Sequence, residues 1–283
     1  MSLEDKILYG EPVAIKTKES IKNKIDKLKK KGEALPSLVV IRIGNSAESI
    51  AYEKTIKKIA KNFDVKLEIK VFNTQTSERK IIEEIKKINK DATINGILLL
   101  KPLPEQYNEK TISNTINIKK DIDGVTDLAI AKLFSKKPIS YCTPATAEAV
   151  ILLLDYYKIN IASKKVVILG RSDVIGKPLL LLLLNRDATI TVCHTKTKNL
   201  SRLTKDADIL ISAIGSPNFI KKDFLSESQI LVDVGTSVVD RKLVGDIYFK
   251  DAIKKVEKIT PVPGGVGNVT NFILMKHLFD TVK

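Results

Sequence analysis

Short, nearly continuous apolar runs rich in β-branched residues recur along the chain: S-L-V-V-I-R-I (37–43), K-L-E-I-K-V-F (66–72) and N-G-I-L-L-L (95–100). Such runs predict strands buried on both faces, and the stretches at about 48–62 and 77–90 place apolar residues at helical spacing between them. The order is β-α-β-α-β, which predicts a parallel sheet. A second series starts with K-K-V-V-I-L-G (164–170) and continues with A-T-I-T-V-C (188–193), D-I-L-I-S-A (208–213) and Q-I-L-V-D-V (229–234). Between the two series, A-T-A-E-A-V-I-L-L-L-D-Y-Y (145–157) follows Thr143-Pro144 and predicts a connecting helix with Pro near its first turn. A last helical pattern, V-T-N-F-I-L-M-K-H-L-F, follows P-V-P-G-G-V-G and could pack on either unit. The chain is therefore expected to be an α/β protein of two units.

Composition narrows the class. The 283 residues are 43% hydrophobic and 29% charged, the balance of a globular protein long enough for two domains. The longest apolar run, P-L-L-L-L-L-L (178–184), is too short to cross a bilayer, and no membrane partner is expected. The start, M-S-L-E-D, lacks the basic and apolar regions of a secretory signal, so a cytoplasmic location is expected. Cys142 and Cys193 lie far apart with only His194 and His277 as possible companions, which argues against a metal site. The formal net charge of +15 raises the question of nucleic acid. Only six of the 48 basic residues are Arg, the Lys residues are spread along the whole chain, and no aromatic platform accompanies them. A Lys-rich solvated surface that steers small anions is the better reading, without a nucleic-acid partner.

Three stretches could carry chemistry. V-V-I-L-G-R-S-D-V-I-G-K-P (166–178) reads as strand, Gly-containing turn and helix start, with Gly170 and Gly176 placed for backbone to approach a pyrophosphate. It lacks the G-x-G-x-x-G fingerprint, and a turn that merely needs Gly would look similar. Arg171 and Ser172 beside the turn suit a phosphate. The next strand ends in Cys193-His194-Thr195 with no acidic residue where a ribose 2′-hydroxyl would be bound, which favours NADP over NAD. I-K-K-D-I-D-G-V-T-D (118–127) sets two carboxylates beside a Gly turn. In I-T-P-V-P-G-G-V-G-N-V-T (259–270), Pro stiffens a loop whose glycines would let a ligand touch backbone.

Taken together and in this order, G-R-S-x-x-x-G-x-P, C-H-T, K-D-I-D-G, C-T-P, P-L-P and T-P-V-P-G-G-V-G closely resemble the methylenetetrahydrofolate dehydrogenase/cyclohydrolase family over nearly the whole chain. The resemblance implies a folate-side catalytic domain (1–141 plus 268–283), a Rossmann-like NADP domain (142–267), a cleft between them and a homodimer. It implies that Asp123 holds the pterin, that Ser49 and Tyr52 line the same pocket, and that Pro263, Gly264 and Gly265 close it. It further implies NADP contacts from Gly170, Arg171, Ser172, Gly176, His194, Thr195, Gly235, Thr236 and Thr270. The partners would be one-carbon derivatives of tetrahydrofolate, on a route that also feeds purine biosynthesis.

Two departures stand out. The family carries a Lys four residues after the pocket Tyr, where this chain has Ile56, and a Gln before the P-L-P motif, where it has Leu100. Lesser departures are Tyr141, Thr146 and Asn268. Oxidation of the methylene carbon needs orientation, whereas hydration and ring opening need general acid–base proton transfer that an Ile cannot perform. The expected activity is thus the NADP-dependent dehydrogenase, with the cyclohydrolase absent or strongly reduced. In the alternative, Lys101 or another proton carrier keeps both activities. A shikimate-dehydrogenase-like oxidoreductase and a basic nucleic-acid-binding protein are the remote alternatives.

Overall fold

The computed structural model describes residues 2–135 and 142–282. Tyr141, one of the lesser departures, lies outside the described residues. In chain order the elements are α1 (Glu11–Lys30), β1 (Ser37–Ile43), α2 (Ala47–Asn62), β2 (Lys66–Phe72), α3 (Glu78–Lys90), β3 (Gly96–Leu99), α4 (Glu109–Asn114), α5 (Asp127–Lys132) and α6 (Ala145–Tyr156). There follow β4 (Lys165–Leu169), α7 (Gly176–Leu184), β5 (Thr189–Cys193), α8 (Leu200–Lys205), β6 (Ile209–Ser212), β7 (Ile230–Asp233), β8 (Ser237–Val239), β9 (Lys242–Val244), α9 (Phe249–Lys255), β10 (Lys258–Ile259) and α10 (Val266–Asp280).

Two compact units result. One gathers Thr17–Lys132, the residues leading to Ala145, and the chain from Asn271 on. Its parallel sheet has the order β2-β1-β3, and beyond β3 the chain near Asp121 adds a bridge to Ile97. β1 and β3 are almost wholly buried, and Val39, Ile41, Ile97 and Leu99 pack against Ile81, Ile85 and Ile88 of α3. The α2 and α3 helices start at Ser46 and Ser77, whose hydroxyls accept from the backbone N–H of Ser49 and Lys80. The expectation that 66–72 is buried on both faces is corrected: β2 is an edge strand, its residues alternating between exposed and partly buried. The Lys and Glu residues it interleaves suit an edge, where charge discourages further pairing.

The other unit gathers the residues up to Lys16, a few from Leu133 on, and Thr146–Thr270. Its parallel sheet has the order β10-β7-β6-β4-β5, with β8 and β9 forming a separate hairpin. Here too one expected buried strand, β5, is an edge whose residues are mostly exposed or half-buried. The sheet packs Val167, Leu169, Leu210 and Leu231 against Ile220, Ile247, Ala252 and Val256. This division differs from the boundaries expected from sequence chiefly in the first residues of the chain. Leu8 N–H donates to the Ile259 carbonyl at 2.8 Å, Ile7 bridges to Ile259, and Gly10 N–H donates to the Gly264 carbonyl at 2.8 Å. Those bonds extend the sheet edge at β10 with the chain's own start.

The α1 helix has a weak signature in the sequence, although Thr17, Ile21, Ile25 and Leu28 recur at helical spacing and are all buried. Lys residues fill the intervening positions and blur the apolar stripe.

Candidate active site

In the first unit, Ser46 caps α2, and its hydroxyl donates to that of the buried Ser49 at 2.9 Å. Tyr52 follows about one turn later and is half-buried. Burial, followed by the charge of Asp123, pushes the Tyr52 phenol well above its usual range, so it stays protonated.

Asp123 sits in a loop that its neighbours build. The Asp121 carboxylate, fully buried, accepts from Val125 N–H at 3.2 Å and Thr126 N–H at 2.9 Å, closing the turn around Asp123. Gly124 has φ +65°, and a Cβ there would collide with the backbone of Cys142, Thr143 and Pro144. Ala145 N–H donates to the Asp123 carbonyl at 3.3 Å. His277 of α10 places Nδ1 2.8 Å from the Ile122 carbonyl oxygen, securing the loop from the other side. Burial above all, then the charge of Asp121, pushes the Asp123 carboxyl up to about 7 against the opposing pull of Lys101 and His277. Asp121 and His277 were not singled out from sequence. In the sequence Asp121 is only one of two carboxylates beside a turn, and His277 gives no local signal because its partner is 155 residues away.

Ile56 is 0% exposed and Leu100 2% exposed, so hydrocarbon occupies two dry core positions. Lys54 is exposed, and Lys57 pairs with Glu53 at 2.6 Å. Arg42 Nε also reaches Glu53, at 2.6 Å. Burial works against the Glu53 charge, but the bonds from Lys57 and Arg42 outweigh it and hold the carboxyl below its usual range. Lys101, just beyond β3, is only 19% exposed, and its Nζ lies 2.9 Å from Glu109 Oε1 at the start of α4. Its charge nonetheless reaches Asp123.

In the second unit, β4 runs into Gly170, which has φ +112° and no room for a Cβ, because the Ala213 carbonyl occupies that space. Gly176 then starts α7 packed against the Gly170 backbone. Arg171 and Ser172 are exposed on this turn, the Ser172 hydroxyl accepting from Ile175 N–H at 3.2 Å. At the neighbouring strand end, His194 N–H donates to Thr197 Oγ1 at 2.9 Å and Thr195 is exposed. A Gly cradle with a guanidinium and hydroxyls at adjacent parallel strand ends, and no acid in Cys193-His194-Thr195 at the end of β5, fits a dinucleotide carrying a 2′-phosphate. Gly235 is buried after β7, Thr236 is exposed, and Thr270 in α10 donates its hydroxyl to the Val266 carbonyl at 3.2 Å. Pro263, Gly264 and Gly265 form the loop before α10, which Gly10 holds through the Gly264 carbonyl. Thus Ser49, Tyr52, Ile56, Leu100, Lys101 and Asp123 belong to one unit, and the remaining candidate residues to the other.

Comparison with known proteins gives one consistent answer. The family model described as tetrahydrofolate dehydrogenase/cyclohydrolase, catalytic domain, matches residues 8–123, and that family's NAD(P)-binding domain matches residues 144–283. A protein of Dictyoglomus turgidum named bifunctional protein FolD is 46% identical over 277 residues, covering 98% of each chain. The crystal structure of the bifunctional methylenetetrahydrofolate dehydrogenase/cyclohydrolase from Campylobacter jejuni superposes with a TM-score of 0.93 at 35% identity, covering 97% of each chain. The Trypanosoma brucei dehydrogenase-cyclohydrolase complexed with NADP cofactor and inhibitor gives 0.91 at 28% identity, covering 97% of this chain and 96% of that one. With both domains of one family matched in order along nearly the whole chain, this chain belongs to the tetrahydrofolate dehydrogenase/cyclohydrolase family.

Proposed function

We propose that this enzyme oxidises 5,10-methylenetetrahydrofolate to the 5,10-methenyl form with NADP⁺ and has lost all or most of the cyclohydrolase step. The observation that carries the second half is the burial of Ile56 and Leu100 where the family has Lys and Gln. The reacting carbon lies between two nitrogens whose lone pairs assist loss of hydrogen, so the oxidation needs placement and field but no protein acid or base. Asp123 accepts from the pterin's amino and ring N–H groups, Tyr52 donates within the same pocket, and Ser49 lines it. Arg171, Ser172 and Thr195 hold the 2′-phosphate. Gly170 and Gly176 admit the pyrophosphate, and His194, Gly235, Thr236 and Thr270 complete the cofactor contacts. When bound, NADP⁺ supplies the oxidant, taking up hydrogen at its nicotinamide C4. Pro263, Gly264 and Gly265 form the loop that meets the folate. The folate side is thus assigned to the unit containing Thr17–Lys132 and the cofactor side to that containing Thr146–Thr270.

Ring opening of the methenyl form must move protons to and from water and a ring nitrogen, work typically worth 10²–10⁴-fold. Ile56 and Leu100 carry no proton, and Tyr52 holds its own. The second reading, a fully bifunctional enzyme, is favoured by the bifunctional names of its relatives and by the influence of Lys101 on Asp123. Its bond to Glu109 ties that ammonium to another carboxylate. Following methenyl formation and methenyl hydrolysis separately tests the proposal: NADP-dependent formation with hydrolysis at the buffer background is expected. Hydrolysis well above background would overturn the loss, and its disappearance in Lys101→Ala would establish the second reading. The enzyme acts in the cytoplasm as a homodimer, its product serving one-carbon metabolism and purine biosynthesis. Among the described residues no helix is long and apolar enough to cross a membrane.

A further inference from the structure

Two buried carboxylates in the second unit belong to none of the roles above. Asp246 is 0% exposed, and Asp233, the last residue of β7, is 3% exposed. Neither pairs with a Lys or Arg among the described residues. Their partners are almost all backbone. Asp246 Oδ2 accepts from the Ser212 hydroxyl at 2.9 Å and Ile214 N–H at 2.8 Å, and its Oδ1 accepts from Ser216 N–H at 2.8 Å. Asp233 Oδ1 accepts from Gly235 N–H and Asp246 N–H, each at 3.1 Å, and its Oδ2 from Ile247 N–H at 2.9 Å. Asp233 N–H in turn donates to Thr260 Oγ1 at 2.7 Å. A Cβ on Gly235 would occupy the space that the Asp246 carboxyl fills.

Burying a carboxylate without a cation is costly, and burial pushes Asp233 up to about 7 although its N–H donors pull the other way. A hydrocarbon would fill the space at less cost. What only a carboxylate can do here is gather several N–H donors from different segments. The segments gathered are the loop after β6 (Ile214 and Ser216), the turn after β7 (Gly235) and the chain returning from the β8–β9 hairpin (Asp246 and Ile247).

Their place in the sheet gives the arrangement its meaning. Ligands of open parallel sheets lie beyond the carboxyl ends of the strands, at the point where the strand order reverses. In β10-β7-β6-β4-β5 that point lies between β4 and β6. The 2′-phosphate half of the cofactor is assigned to Arg171, Ser172 and Thr195 at the ends of β4 and β5, so the nicotinamide half belongs over the ends of β6 and β7. Those are the ends whose loops the two carboxylates hold.

We propose that Asp246, held in place by Asp233, is a positioning residue that fixes the backbone of residues 213–216 for the nicotinamide half of NADP. The inference rests on the cofactor reading given above. An amide cannot replace the carboxylate: one of its two ends is a donor, which would face either Ser216 N–H or the Ile214 N–H and Ser212 hydroxyl pair. Placement of the loop degrades while the turn at Gly170 keeps its own supports.

The experiment compares NADP⁺ with adenosine 2′,5′-bisphosphate, which reports on the 2′-phosphate half alone. In the full-length Asp246→Asn variant the Kd for NADP⁺ should rise at least about tenfold and kcat should fall, while the Kd for the bisphosphate stays within about twofold of wild type. Unchanged NADP⁺ affinity, or equal loss for both ligands, would overturn the proposal, the latter because it marks a general defect of the unit. Should the variant not fold, amide hydrogen exchange on the wild type decides. Ile214 and Ser216 N–H must be protected before any cofactor is added, and unprotected exchange at both would overturn it. A wild type that binds neither ligand would instead sink the cofactor reading itself.

Discussion

To accept two pterin N–H groups at once, as proposed, Asp123 would have to be an anion, yet its surroundings hold its carboxyl near neutrality. Burial and Asp121 push it up to about 7, while Lys101 and His277 pull it down and the Tyr52 phenol stays neutral beside it. Below that value the free site holds a neutral acid that can accept with only part of its capacity. The sign follows: kcat/KM for the folate should rise with pH through about 7 and level off above it. Replacing Lys101 by Met removes one downward influence, so the same limb should move to higher pH. A pH profile of kcat/KM in the two proteins checks this, and a limb that stays put would exclude Lys101 from the electrostatics of the site. The departures at Ile56 and Leu100 make a second residue-scale test. Ile56→Lys alone places a charge in a dry position, and Leu100→Gln alone leaves an amide unpartnered, at about 1–3 kcal/mol for the latter. If the two side chains meet, the double variant should be more stable than the sum of the singles by about 0.5–3 kcal/mol and should gain methenyl hydrolysis. Strict additivity in denaturant melts, with no hydrolysis gained, would show that the loss lies elsewhere.

At the scale of elements, strands and helices were legible wherever an apolar run was short and bounded. The parallel order could be inferred from alternation alone. What the pattern could not give was each strand's place in its sheet. The runs at 66–72 and 188–193 resemble central strands in composition, but both are edges, because edge or centre is decided by partners distant in sequence. The same holds for Asp233 and Asp246, whose donors come from three separate segments. The Gly170 turn is the opposite case, a local feature with a local signature. Its φ of +112° and the close approach of the Ala213 carbonyl both exclude a side chain. Gly170→Ala should therefore cost at least about 1–2 kcal/mol from the backbone conformation alone. Most of the effect should appear as weakened NADP⁺ binding, since the β4–α7 turn must move away from β6. Thermal melts with and without NADP⁺ separate the two parts, and a variant that binds NADP⁺ as the wild type does would show that the turn is not part of the cofactor site.

Over the whole molecule, a formal net charge of +15 meets two anionic ligands, a folate and a pyrophosphate-bearing cofactor. Long-range attraction of this kind raises association rates for any anion and fades with ionic strength, so it cannot by itself separate NADP⁺ from NAD⁺. On the proposed reading, selection comes from the residues at the ends of β4 and β5, where Arg171, Ser172 and Thr195 offer a guanidinium and two hydroxyls and the end of β5 carries no acid to accept from a ribose hydroxyl. A charge-assisted contact is worth about 1.5–3 kcal/mol, and the exposure of Arg171 argues for the low end of that range. Arg171→Ala should thus reduce the ratio of kcat/KM for NADP⁺ over NAD⁺ by roughly tenfold. Most of the change should fall on the KM for NADP⁺, with the KM for the folate unaltered. Raising the salt concentration should erode the wild-type ratio as well, because NADP⁺ carries the additional phosphate, and should erode the ratio of the variant less. Equal kcat/KM for the two cofactors in the wild type would remove the 2′-phosphate site, and a preference that survives Arg171→Ala at every ionic strength would place it on other residues.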